Sequence, residues 1–181
     1  MVDTERTVAT LLATNFVDGQ AAGSITPQDM RDLIVSLTHQ YGDGYISTPA
    51  ATTISTINVW VKVAGTTTIG SNVRNVSMPA NNRLRNDGDQ TRIFRVTATL
   101  NYITAGANKE IGFGIGLNGT VQANTEIRDD HLVAANERTM MVQGLVSVAA
   151  ASYVEAMVVN RTDTDNVTVN KMVMHAIGLT T

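Results

Sequence analysis

The chain has 181 residues, of which 16% are charged and 43% hydrophobic, with a net charge of -3 and no cysteine. That apolar content supports a packed core and argues against disorder. The absent cysteines exclude disulfide scaffolds, thiolate zinc sites, iron–sulfur clusters and cysteine nucleophiles, and the slight acidity disfavours a dedicated nucleic-acid binder. With 25 Thr and 21 Val, β-branched residues that suit pleated, half-buried strands are abundant. The fold class expected is mainly β rather than a helical bundle.

The first residues, Met1-Val2-Asp3-Thr4-Glu5-Arg6, lack the basic-then-apolar order of a signal peptide. The longest apolar stretch, 140–159, contains Gln143, Ser147, Ser152 and Glu155 and does not read as a membrane span. Val8 to Phe16 is mildly apolar and runs into turn-like residues 18–24. A helix is then expected over about 26–41. Thr26 suits the N-cap, Pro27 the first helical position and Asp29 the positive end of the helix dipole. Met30, Leu33, Ile34, Leu37 and Tyr41 form one apolar stripe, and Gly42 suits the C-terminal stop. A helix this short is marginal alone. Its stripe must dock either on its own domain or on a partner, so Met30, Leu33, Ile34 and Leu37 are candidate packing or docking residues. Residues 47–56 are small, polar and contain Pro49, which reads as a linker. The expected division is an N-terminal arm, 1–56, and a β-sandwich, 57–181.

From Ile57 onward the period is two. Ile57, Val59, Val61 and Val63 alternate with Asn58, Trp60 and Lys62. The same alternation recurs through Phe94–Leu100, Ile111–Leu117, Tyr153–Val158 and Val167–Leu179. Asn118-Gly119 is a type I′ hairpin signal. Eight to ten strands in about 125 residues suggest a jelly-roll-like antiparallel sandwich.

Gly114-Ile115-Gly116-Leu117-Asn118-Gly119 matches G-x-G-x-x-G, but strand-like residues follow it where a dinucleotide site needs a helix. Gly112, Gly114 and Gly116 instead share one strand face. Either that face takes a close approach from a neighbouring sheet or subunit, or it is a loosely constrained surface strand. In the last strand Val167, Val169, Lys171, Val173, His175, Ile177 and Leu179 share one face. Met172 and Met174 lie on the other. Apolar residues on both faces imply cover on both, through a subunit contact or through a bulge that shifts the register. Trp60, Gly112, Gly114, Gly116, Met172 and Met174 are therefore candidate subunit-interface residues.

Nothing in the sequence assembles a catalytic, cofactor or metal site. His39, His131 and His175 have no ligand spacing, and there is no G-x-S-x-G elbow. Asp163-Thr164-Asp165-Asn166 starts like a calcium loop but lacks its glycine and closing glutamate. No cofactor is expected, and an enzymatic role is not. Loops 81–90, 104–109 and 129–138 are candidate recognition loops by their polar, turn-rich composition.

Two stretches resemble virion proteins of tailed bacteriophages. The run from Ser24-Ile25-Thr26-Pro27 through Asp29 and Arg31 to Ser36-Leu37 resembles a segment near the N-terminus of many phage fibre proteins. Ile115–Thr120, the strand expected within Met140–Val148, and Ala156-Met157-Val158-Val159-Asn160-Arg161-Thr162-Asp163-Thr164-Asp165-Asn166-Val167-Thr168-Val169 resemble the TNF/C1q-like jelly rolls of phage fibres and capsid decorations. The resemblance implies a homotrimer located in the virion. Its partners would be the major capsid protein or another virion protein. With few residues before the jelly roll and no shaft, a decoration or head-fibre protein is favoured. A tail-fibre module that binds a host surface glycan or protein receptor is the alternative. Neither role calls for nucleic acid or a membrane.

Overall fold

The computed structural model describes residues 6, 10–16 and 24–179. A π-type helical turn spans Leu11–Asn15. Helix α1 spans Pro27–Leu37 with Thr26 as the expected N-cap, and the pair closes into a capping box: the Thr26 hydroxyl accepts from the Asp29 N–H, and the Asp29 carboxylate accepts from the Thr26 N–H. The strands follow as β1 Gln40–Thr48, β2 Ala51–Thr52, β3 Val61–Lys62, β4 Thr66–Ile69, β5 Val76–Ser77, β6 Leu84–Asn86, β7 Arg92–Thr104, β8 Lys109–Leu117, β9 Thr120–Val121, β10 Ile127–His131, β11 Arg138–Val148, β12 Tyr153–Asn160 and β13 Val167–Leu179.

Two antiparallel sheets face each other. The first has the order β11-β7-β13-β1-β4, with β2 on β13. The second has the order β10-β8-β12-β6-β5, with β3 on β12 and β9 on β8. Along the principal strands β1, β6, β7, β8, β10, β11, β12 and β13, the chain changes sheet at every connection except β8 to β10. This winding is that of a jelly roll. The core lies between the sheets. Phe94, Val96, Ala98, Leu100 and Tyr102 of β7 meet Ile111, Phe113 and Ile115 of β8 and Val154, Ala156 and Val158 of β12. The Tyr102 and Phe113 rings pack edge to face at 4.8 Å.

Three expectations need correction. Helix α1 stops at Leu37, because the chain from Gln40 is taken into the sheet. There Tyr41 lies opposite Ile177 and Gly42 opposite Ala176. Gly42 is thus no helix stop. A Cβ on it would lie 2.6 Å from a methyl of Val76, so its role is to let that side chain in. Residues 47–56 are not a free linker. Thr48 ends β1, β2 pairs with Val167 and Thr168, and Ile54 is buried with its N–H bonded to the Asn166 side chain. The alternation from Ile57 to Val63 yields only the short β3. Asn58 has a positive φ, and Ile57 and Val59 are exposed.

The last strand has the predicted extent, with a bulge in it. Val169 pairs with Tyr102 and Lys171 with Asn101, leaving Asn170 as the extra residue. Val167 and Val169 point inward before the bulge; Met172, Met174 and Ala176 do so after it. The hairpin at Asn118-Gly119 forms as expected, with positive φ at both residues and Leu117 opposite Thr120.

Phe113 is fully buried at the centre of this core. Phe113→Ala is expected to destabilise the fold by about 3–5 kcal/mol, read as a lower urea midpoint with an unchanged slope.

Candidate interaction surface

The outward face of the first sheet is laid out in rows by its register. Tyr45, Val173, Thr99 and Met141 form one row across β1, β13, β7 and β11. Asp43, His175, Thr97 and Gln143 form the next, and Tyr41, Ile177, Arg95 and Leu145 the third. Two mostly apolar rows thus flank a polar one. Tyr41, Tyr45, Met141, Val173, Ile177 and Leu179 are all exposed, and Leu145 keeps 60% of its surface. Scattered exposed apolar residues are ordinary. Seven ranged over one sheet face are not, and such a patch marks an interaction surface. Shallow clefts open on it beside Tyr41, Asp43 and His175, and beside Arg95 and Leu145.

The second sheet is different, because the chain covers its outer face. A Cβ on Gly112 would lie 2.8 Å from Val159, one on Gly114 2.8 Å from Val121, and one on Gly116 2.5 Å from Met157. The Trp60 ring lies 3.4 Å from the Cβ positions of both Gly112 and Gly114. Arg161 sits over that ring at 5.9 Å and donates to Glu126 at 2.6 Å. Of the residues expected at a subunit interface, Trp60 therefore packs over Gly112 and Gly114 within one chain, and Gly116 makes room for Met157 of the neighbouring strand. This packing accounts for the missing side chains. Met172 and Met174 are also corrected, because the bulge turns them into the sandwich core.

Helix α1 is amphipathic in the predicted register, and of the two expected placements of its stripe it does not take the one against its own domain. Its buried residues are Asp32 and Ser36. The Arg6 guanidinium reaches the Asp32 carboxylate at 3.0 Å, the Arg6 N–H donates to the Ser36 hydroxyl, and buried Arg92 donates to the Ser36 carbonyl at 3.0 Å. Met30, Ile34 and Leu37 are exposed and Leu33 is half-buried. A polar contact thus holds the helix on its own chain and leaves its apolar stripe outward.

The candidate recognition loops carry ion pairs. In the predicted calcium-like stretch the Lys109 ammonium lies between two carboxylates, hydrogen-bonded to Asp163 and 2.7 Å from Asp165. Those bonds, first Asp163 and then Asp165, hold the Lys109 amine above its ordinary range. The position a cation would take is filled by the protein's own ammonium. Among the described residues no group of three or more His, Asp or Glu side chains is placed to hold a metal ion. At the same end Asp129 accepts from the Tyr102 hydroxyl at 2.6 Å and from Arg138 at 2.8 and 3.2 Å. Burial acts to raise the Asp129 carboxyl, but the bonds from Tyr102 and Arg138 outweigh it and the net shift is downward. Burial, with help from Asp129, pushes the Tyr102 phenol upward.

No protein-family model matches the chain, and no curated protein matches it. Among solved structures it is similar to an Eiger TNF from S. frugiperda, with TM-score 0.48, 12% identity, and cover of 78% of this chain and 91% of that one. It is also similar to part of an infectious bursal disease virus structure of the Gx strain, with TM-score 0.43 and 9% identity over 79% of this chain and 32% of that one. A third likeness is to the dimeric latent PorU of Porphyromonas gingivalis, with TM-score 0.39 and 11% identity over 77% of this chain and 13% of that one. The chain is a mainly β protein with two antiparallel sheets wound as a jelly-roll sandwich.

The depressed Asp129 carboxyl makes stability depend on acid. Its contribution is complete above the ordinary carboxylate range and is lost as pH falls through that range toward the folded-state value. Asp129→Asn is expected to cost about 1–3 kcal/mol near neutral pH and to flatten the fall in stability below about pH 4, measured by urea denaturation across pH.

Proposed function

We propose that the chain is a non-enzymatic structural protein of a virion, a capsid decoration or head-fibre protein. In this reading three copies associate through the outward face of the first sheet, and α1 attaches the assembly to the major capsid protein or another virion protein. The observation that carries the reading is the exposed double apolar row on β1, β13, β7 and β11. Its two apolar rows flank one polar row and lie on continuously paired strands. In a closed threefold ring each copy buries one part of such a face against a different part of its neighbour's. The number three and the virion location come from the resemblance of Ser24–Leu37 and of the 115–120 and 156–169 segments to phage virion proteins. The outward stripe of α1 supports attachment. Three weak helix contacts on one body reinforce each other through their high effective concentration.

A second reading is supported by the loop after β10, where Leu132 and Val133 are among the most exposed apolar side chains. A recognition module for a host surface glycan or protein would present residues in this way. Direct binding of the purified chain to host cells, lost on Leu132→Ser with Val133→Ser, would favour it over the decoration role.

The assembly is tested by light scattering after size exclusion. The chain of 19.3 kDa is expected at about 58 kDa, and the pair Val173→Glu with Leu145→Glu is expected to give monomer by placing carboxylates in the apolar rows. A monomeric wild-type chain at micromolar concentration overturns the assembly.

Attachment is tested separately. Ile34→Glu with Leu37→Glu is expected to leave the mass of the assembly unchanged and to remove the protein from purified virions. Retention of that variant on virions overturns the role of α1.

A further inference from the structure

Each sheet of the sandwich ends in two strands that are paired on one side only, β11 and β4 in the first and β10 and β5 in the second. The open side of such a strand offers N–H and C=O groups to any strand that reaches it. Three of the four edges are blunted. β4 has four residues and β5 two, and β10 carries Arg128, Asp129 and Asp130 in succession. β11 is not blunted. It runs for eleven residues, and from Thr139 to Val148 it holds no charge and no proline. Among the described residues its strand partner is β7 alone, and from Arg138 to Ser147 its backbone bonds to no other segment.

The exposed side chains of β11 run Thr139, Met141, Gln143, Leu145, Ser147. By chemical type the order reads the same in both directions: hydroxyl, long apolar, amide, long apolar, hydroxyl. In an antiparallel pair, residues directly opposite share a face. A second β11 turned about an axis at Gln143 sets Thr139 against the partner's Ser147, Met141 against the partner's Leu145, and Gln143 against the partner's Gln143. Apolar then meets apolar, polar meets polar, and no like charges are opposed. A slide of the axis to Val142 sets Leu145 against a threonine and Met141 against a glutamine. A slide to Gly144 sets Leu145 against a glutamine and Met141 against a serine. The matched register also carries the surface rows across the join. The row of Tyr45, Val173, Thr99 and Met141 runs on into the partner's Leu145, and the polar row of Gln143 meets its own copy.

We propose that β11 is a self-pairing edge. It joins antiparallel to β11 of a second copy about a twofold axis at Gln143, and the first sheets of the two copies become one continuous sheet. The contact uses backbone groups in the plane of the sheet, which association through the face of the sheet does not consume. It therefore does not rest on the threefold assembly, and where that assembly forms it links one to the next. A single strand pair buries less than a stable interface needs, so the pairing grows with concentration above the micromolar range.

The chain has no cysteine of its own, and Thr139, Gln143 and Ser147 are exposed, so single cysteines joined by a short bis-maleimide report the register in the full chain. Gln143→Cys should link to itself, in a fraction that rises from micromolar to millimolar chain. Thr139→Cys should not link to itself, because the two copies of that residue lie about 27 Å apart at about 3.4 Å per residue. An equal mixture of Thr139→Cys and Ser147→Cys should give the mixed pair. Gln143→Lys added to both members of that mixture opposes two ammonium groups on the axis and should lower the linked fraction about fivefold. Gln143→Cys that stays unlinked throughout, Thr139→Cys that links to itself as well as to Ser147→Cys, or a mixture that Gln143→Lys leaves unchanged each overturns the pairing. The first of these is also the result expected if a different protein covers the edge. If a cysteine variant does not fold, amide exchange of the wild-type chain decides: the β11 amides should slow with concentration while those of β4 do not, and equal rates in β11 at both ends of the series overturn the pairing.

Discussion

One inserted residue in β13 sets the character of both faces of the first sheet. Side chains on a strand alternate, so a shift of one residue exchanges inside for outside over all that follows. Asn170 supplies that shift. Before it, Val167 and Val169 fill the core; after it, Met172, Met174 and Ala176 do. Without the bulge Lys171 and His175 would point into the sandwich and two methionines would point out. With it, Val173, His175 and Ile177 stand in line with Tyr45, Asp43 and Tyr41 on the neighbouring strand. β13 lies between β7 and β1, so this choice is transmitted across the sheet through its register.

The two sheets then solve the same problem in different ways. β8 and β12 are buried on both faces, and their outer face is roofed by the chain's own Trp60, Val121 and Arg161, seated where glycines leave room. Among the described residues the first sheet has no such roof over β1, β13, β7 and β11. Its apolar rows are exposed in the isolated chain, and self-association covers them in the proposed assembly.

Helix α1 follows the same division between what is tied down within the chain and what is presented outward. An apolar stripe ordinarily packs on the domain that carries it. Here Arg6, Asp32, Ser36 and Arg92 make the attachment through ionic and hydrogen-bonding contacts, and the stripe stays outside. Partly buried polar contacts of this kind have strict geometry, so they fix which way the helix faces.

Much of this was legible in the sequence because it is local. The period of two in β7, β8 and β13, the Thr26 N-cap and the Asn118-Gly119 turn each depend on residues close together in the chain. The exposed stripe residues Met30, Ile34 and Leu37 were identifiable from helical spacing alone. Met141 and Leu145 were missed because β11 is apolar on both faces in part of its length, which leaves its outward side undefined. Tyr41 was misplaced because it continues the helical spacing and only the pairing with Ile177 draws it into a strand. The glycine face admits either a close neighbour or a loosely constrained surface in the sequence, and the Trp60 neighbour of Gly112 and Gly114 comes from a loop distant in the chain, which local spacing does not show. The amino-acid sequence thus determined the strongly periodic elements and the presence of unusual apolar surface. The tertiary structure decided which of that surface stays exposed, because register, bulge and loop cover arise only when distant strands pair.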